Sequence, residues 1–323
     1  MGFFNSIYDI LGVVFGPIMR VIFTLVGNYG VAIILFTIFC RVLMLPSAVS
    51  QQKNQAKNTR MQLKVRKIQE KYKGDRQRIQ QETQEFYQRE GYNPMSAGCS
   101  GGMLLQFPIM FGLLSAIYRP LKYALSVPAS VLDVLSKHAP EVLEAATGQK
   151  VAAGSLYLQL NVIEHIGKFK EFVGEGGLTQ AWLDKIAGFA DQFRFLGLNL
   201  GATPKDGGGI YYAIPVLAGV AAMATSAYTF FRTRKHNPEQ QQNAMMMGCM
   251  SFGMPLFSAY LALSFPTGIG IYWTVSSLVA FIQMALLNVT HPPQKMLARV
   301  LVEETIVRRS RENSRKKIYE MNT

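Results

Sequence analysis

The sequence predicts an all-α integral membrane protein with five transmembrane helices and a cytoplasmic helical hairpin, and three observations predict it. Apolar runs of spanning length occur at 31–49, 99–118, 210–231, 244–265 and 267–289, against the roughly 20 residues a helix needs to cross the hydrocarbon core. Charge is segregated between these runs, and Arg41 is the sole charged residue inside them. Basic and neutral connections then alternate. Residues 51–98 hold eleven Lys or Arg against five Asp or Glu, 119–209 nine of each, 232–243 three against one, and 290–323 eight against four. Basic loops stay cytoplasmic, the short ones carrying most weight. The topology that follows has the N-terminus outside and the C-terminus in the cytoplasm.

Each element has its own justification. Residues 1–30 are expected to form an external interfacial helix, with a sixth span as the alternative. Their apolar stretch, 3–27, contains Asp9, Gly16-Pro17 and Arg20. No basic residue precedes it, unlike a signal peptide, and Gly16-Pro17 is expected to interrupt the helix. Residues 31–125 carry the first two spans, 31–49 and 99–118, with the hairpin 51–92 between them. The first span reads VAIILFTIFCRVLMLPSAV, with Arg41 inside it. An arginine at that depth costs about 2.5–3.5 kcal/mol on insertion scales. No other span contains Asp or Glu, which weighs against a structural arginine paired with a carboxylate on a neighbouring span. A polar pocket is the alternative environment. Thr37, four residues earlier, shares its helix face.

In the hairpin, Met61, Val65, Ile68 and Tyr72 fall at helical spacing, Lys73-Gly74-Asp75 makes a turn, and Ile79, Phe86 and Tyr87 line a second helix. It reads equally as a solvated spacer and as a docking arm. Residues 126–209 are expected to be an extracytoplasmic helical region, from the amphipathic patterns near 130–146 and 178–193, with glycine joints at 174–177 and 207–209. Spans three to five (210–231, 244–265, 267–289) are joined by short connections, which force antiparallel neighbours. The fourth is rich in methionine (Met245, Met246, Met247, Met250, Met254), either as an adaptable apolar surface or as ordinary lipid-facing packing. Residues 290–323 form a basic cytoplasmic tail. The net charge of +13 suits positive-inside orientation and anionic lipid headgroups, with ribosomal RNA a second candidate for the tail.

Little points to covalent chemistry. Cys40, Cys99 and Cys249 lie in or beside predicted spans without CxxC spacing. The histidines His138, His165, His236 and His291 are scattered and form no metal-ligand pattern. No phosphate loop, dinucleotide fingerprint, GxSxG or HExxH motif is present. The sequence therefore argues for no enzyme, metal or cofactor. On the last span, Trp273, Ser276, Ala280 and Gln283 share one partly polar face. Gln106 is the polar residue of the second span's LLQFPI. Each has a plainer reading, helix-to-helix hydrogen bonding for the glutamines and an interface aromatic for Trp273.

Four strings are more specific. NPMSAGCSGGMLLQFPIMFGLLSAI opens the second span, FPTGIGIYWTVSSLVAFIQ the last, LKVRKIQEKYKGD marks the hairpin, and Arg41 sits in the first span. Together, in this order, they resemble the YidC/Oxa/Alb family of membrane protein insertases. The resemblance covers 29–125 and about 190–290. It implies five helices around a hydrophilic groove, open to cytoplasm and lipid and closed outside, in the bacterial plasma (inner) membrane. It implies a groove lined by Arg41, Thr37, Gln106, Trp273, Ser276 and Gln283. Its implied clients are nascent membrane proteins, taken alone or with the Sec translocon, with ribosome contact through the hairpin and basic tail. Members often carry asparagine four residues after the aromatic, where this chain has Ser277. Two other readings stay open from the residues: a small-solute or anion transporter using Arg41, although no internal repeat is evident, and an assembly chaperone that inserts nothing.

Overall fold

The structure is a computed structural model that describes residues 2–93, 101–148, 150–152, 155, 157–236 and 244–322. Cys99, the NPMSAGCS segment from position 94 onward, and the side chains of Gln106, Met245, Met246, Met247, Cys249 and Met250 lie outside the described residues. The chain divides into two compact units, Met1–Val42 with Phe107–Ile282, and Leu43–Gln106 with Gln283–Thr323.

The first unit opens with α1 (Gly2–Val26), which runs unbroken through Pro17, against the expected interruption. Proline removes one amide from the helix ladder. Packing on the opposite flank outweighs that loss: Gly12, Gly16, Met19 and Phe23 form a buried stripe, and a Cβ at either glycine would collide with the Tyr123 ring. Gly27 (φ 72) closes the helix in the left-handed region. Asn28 then caps α2 (Tyr29–Leu43), its Oδ1 accepting from the Val31 amide at 3.2 Å. The predicted first span does not run on as one helix: α2 stops before Met44, and α3 (Leu45–Lys71) restarts with a proline, Pro46, in its first turn.

Next come α5 (Gly101–Tyr118), after α4 (Arg76–Arg89) of the other unit, and a single turn, Pro120–Tyr123. An amide at position 120 would ordinarily bond the Ala116 carbonyl, and Pro120 has none. The buried Tyr29 hydroxyl donates to that carbonyl instead, at 2.7 Å. Around it Phe23, Tyr29, Phe189 and Phe193 pack ring against ring at 5.1–5.7 Å.

Residues 126–209 carry α6 (Ala129–Thr147), α7 (Leu158–Glu164), a 3-10 helix Ile166–Phe172 and α8 (Gln180–Gln192). Thr179 caps α8 through the Trp182 amide, and His138 contacts Glu175 at 3.0 Å while stacking on Phe172. The glycines at 174–177 form a closed turn in which the Gly174 amide donates to the Leu178 carbonyl at 2.8 Å. A short antiparallel hairpin, β1 (Arg194–Phe195) and β2 (Leu198–Asn199), interrupts the helical expectation. Its two central residues, Leu196 and Gly197, both have positive φ (51 and 80), the geometry that suits the twist of tight hairpins.

The unit's remaining helices are α9 (Ala213–His236), α10 (Ala244–Ala262) and the greater part of α11 (Thr267–Thr290). Among the described residues, Gly209–Phe231 and Thr267–Thr290 are long and apolar enough to cross a membrane, and Tyr29–Leu43 with Leu45–Lys71 forms a broken third candidate. Their apolar side chains face outward, among them Val216, Val220, Met254, Phe257, Leu278 and Ile282. Such a surface suits lipid rather than water. Gly219 faces the Ala259 methyl, letting α9 and α10 approach closely. The amides of Thr267 and Gly268 tie the start of α11 to the carbonyls of Ala202 and Leu200, each at 2.9 Å.

The second unit holds α3, α4 (Arg76–Arg89) and α12 (Pro293–Asn322). Gly74 (φ 104) makes the α3–α4 turn, and Asp75 caps α4 by accepting from the Arg78 amide at 2.9 Å. Three polar contacts join α4 and the residues after it to α3: Tyr72 to Glu82, Lys64 to Glu90 and Tyr92 to Asn58, at 2.8–3.0 Å. The basic tail is itself a helix that packs on α3. Ala56, Met61 and Val65 on α3 and Met296 and Val300 on α12 are buried.

Candidate functional site

The site grows from α2. Its apolar sequence makes a helix whose buried face is Tyr29, Gly30, Ala32, Ile33, Phe36, Thr37 and Cys40. Arg41, next in line, is only partly buried. The Thr37 hydroxyl donates back to the Ile33 carbonyl of its own helix at 2.7 Å. It therefore shares Arg41's side of the helix without presenting its proton to the guanidinium.

The partner of Arg41 comes from α11, 235 residues away: its Nη2 donates to Ser276 Oγ at 2.6 Å. Ser276 is buried. Trp273, one turn earlier on that helix, is half-buried and packs edge-on to Phe265 at 5.5 Å. Sequence reasoning missed Tyr272, which is buried on the same helix as Ser276. Its position one turn before Ser276 was the available signal. Among the described residues Arg41 makes no salt bridge. Of its five N–H donors, one is engaged by a neutral hydroxyl. The charge is thus oriented without being neutralised.

The structure brings Arg41 and Ser276 together, with Thr37 on the arginine's helix and Trp273 on the serine's. Gln283 lies on α11 within the second unit, and the Gln106 side chain is outside the described residues. Among the described residues the site holds no nucleophile–base pair. It can attract a carboxylate and release it again, since a guanidinium offers paired donors to that group.

Known proteins resemble this chain along most of its length. A membrane protein insertase YidC of Geobacter metallireducens is 24% identical over 270 residues, 84% of this chain and 35% of that protein. The membrane protein insertase MisCA of Bacillus subtilis is 26% identical over 265 residues, 81% of this chain and 70% of that protein. The membrane protein insertase YidC 2 of Listeria innocua is 42% identical over 97 residues, 29% of this chain and 33% of that protein. The chain thus spans about a third of the length of the Geobacter relative. The family described as 60Kd inner membrane protein matches residues 21–294. The chain belongs to that family, the one its motifs and its arginine-bearing span resemble.

Proposed function

We propose that this protein inserts and folds membrane proteins in the bacterial inner membrane without covalent chemistry. One observation carries the reading: a guanidinium on an apolar helix, held by a neutral serine rather than a carboxylate. The names of its relatives supply the process that such a charge would serve. The proposed architecture has five spans, N-terminus outside and C-terminus cytoplasmic. Arg41, Thr37, Tyr272, Trp273 and Ser276 lie on a hydrophilic groove. Gln106 and Gln283 stay with that groove on the sequence argument alone.

The mechanism follows from electrostatics and transfer energies. A client must move a polar, often acidic, segment past an apolar layer. A groove containing water shortens that path, and Arg41 attracts the carboxylates on the way. Partial burial strengthens the attraction relative to bulk water, and since Arg41 makes no salt bridge among the described residues, the client's carboxylate can take that place. The client's apolar helix then leaves for lipid, driven by roughly 25 cal/mol per Å² of apolar surface removed from water. The clients are nascent membrane proteins, delivered directly or by the Sec translocon. The α3–α4 hairpin and the basic tail are the proposed contacts for a ribosome and for anionic lipid.

The test is insertion of a single-span client with an acidic external segment into liposomes, read by protease protection. Insertion should require the protein and should weaken when the client's carboxylates are replaced by amides. Unchanged protection with and without the folded, correctly oriented protein would remove the insertase reading and leave an assembly chaperone or a transporter.

A further inference from the structure

A second place in the first unit concentrates charge of one sign. A cavity of about 450 Å³ opens between α1 and the turn that follows α5. Arg20 from α1 and Lys122 from the turn both line it, and no Asp or Glu does so among the described residues.

The remaining wall is of two kinds. Val21 and Leu25 line it and are 60% and 80% exposed. Ile10 and Val14 continue the exposed apolar row along α1. Thr24 and Ser126 add hydroxyls. The Tyr123 ring packs closely over Gly12 and Gly16, and the Lys122 ammonium lies 5.3 Å from the centre of that ring. Lys122 stands just past the end of α5, and Arg20 lies in the last third of α1. Lys122 therefore sits where an apolar helix ends, the level at which hydrocarbon gives way to headgroups, and Arg20 lines the same cavity. A ligand for this place has a negative head and an apolar chain.

We propose that the cavity binds one anionic phospholipid, its phosphate between Arg20 and Lys122 and an acyl chain along Val21 and Leu25. The site is separate from Arg41 and does not depend on the insertase reading. A lipid held there would fasten α1 to the turn after α5, fixing the ends of two helices through a component of the bilayer itself.

Native mass spectrometry of the full chain in detergent tests this, with phosphatidylglycerol and phosphatidylcholine titrated in parallel. One phosphatidylglycerol should be retained in clear preference to phosphatidylcholine. The double variant Arg20→Gln with Lys122→Gln should lose about five-fold in retention per removed charge. The charge-keeping pair Arg20→Lys with Lys122→Arg should retain it, which separates loss of charge from loss of fold. Lys185→Gln, against the Trp182 ring on α8, should bind as the wild type does. Equal retention of the two lipids, or no loss in the double glutamine variant, would overturn the proposal. So would displacement of the lipid by equimolar inorganic phosphate, which would make the site one for a free anion.

Discussion

α2 and α3 are separated by one residue, Met44, yet the units they belong to are held by different forces. In α2, seven of fifteen residues are buried, and its one guanidinium is aimed by a buried serine. In the second unit α4 buries no residue at all, and it is tied to α3 by contacts such as Lys64 to Glu90, whose side chains remain about a third exposed. Exposed ion pairs contribute typically 0.2–1 kcal/mol each and can be remade in other arrangements. A fully buried aromatic or leucine contributes about 1.5–3 kcal/mol and has one acceptable place. The first unit therefore suits holding a charge in register, and the second suits adjusting to whatever docks on it.

Four substitutions sharpen or break this contrast. Arg41→Ala should lower the initial rate of insertion of acidic-tailed clients roughly ten-fold or more, as removal of a charge-assisted contact does. Thermal stability should hold or rise, because the cost of placing a guanidinium in an apolar span disappears. A parallel loss of stability would make the arginine structural. Tyr29→Phe should reduce the unfolding free energy by about 1–3 kcal/mol, stranding the Ala116 carbonyl, and a denaturant titration in detergent reads this. Val300→Ala should release α12 from α3 by about 1 kcal/mol, visible as faster amide exchange in the tail with the first unit unchanged. Lys53→Gln, which removes the long and exposed contact to Glu303 at 3.7 Å, should change unfolding by less than about 0.5 kcal/mol. A larger effect there would mean that the second unit is cemented by charge after all.

The helical class was legible because apolar runs and charge blocks alternate on the scale of whole helices. The site was legible in part, because an arginine among nineteen otherwise uncharged residues is anomalous without any structure. What stayed hidden depends on contacts distant in sequence. Pro17 is a helix breaker in isolation, and only the Tyr123 ring over Gly12 and Gly16 shows why α1 continues past it. Thr37 shares a face with Arg41, and nothing in the spacing shows its hydroxyl turned back to Ile33. Tyr272 lies beside the conspicuous Trp273, and burial alone distinguishes their roles. The tail's charge concealed its helical packing, since Met296 and Val300 are too few to give a periodic signal. At the hairpin, Leu196 occupies a positive-φ position where glycine or asparagine would have announced the turn.

The bond from Tyr29 to Ala116 also bears on how the chain builds itself. Residue 29 leaves the ribosome 87 residues ahead of residue 116, so α2 is already present when α5 arrives. Because Pro120 withholds an amide, α5 comes with a bare acceptor that its own ladder cannot cover. An α5 docked away from α2 leaves that carbonyl without the Tyr29 hydroxyl. Seating against Tyr29 fills that acceptor, so the order of synthesis puts the phenol in place before the carbonyl that needs it.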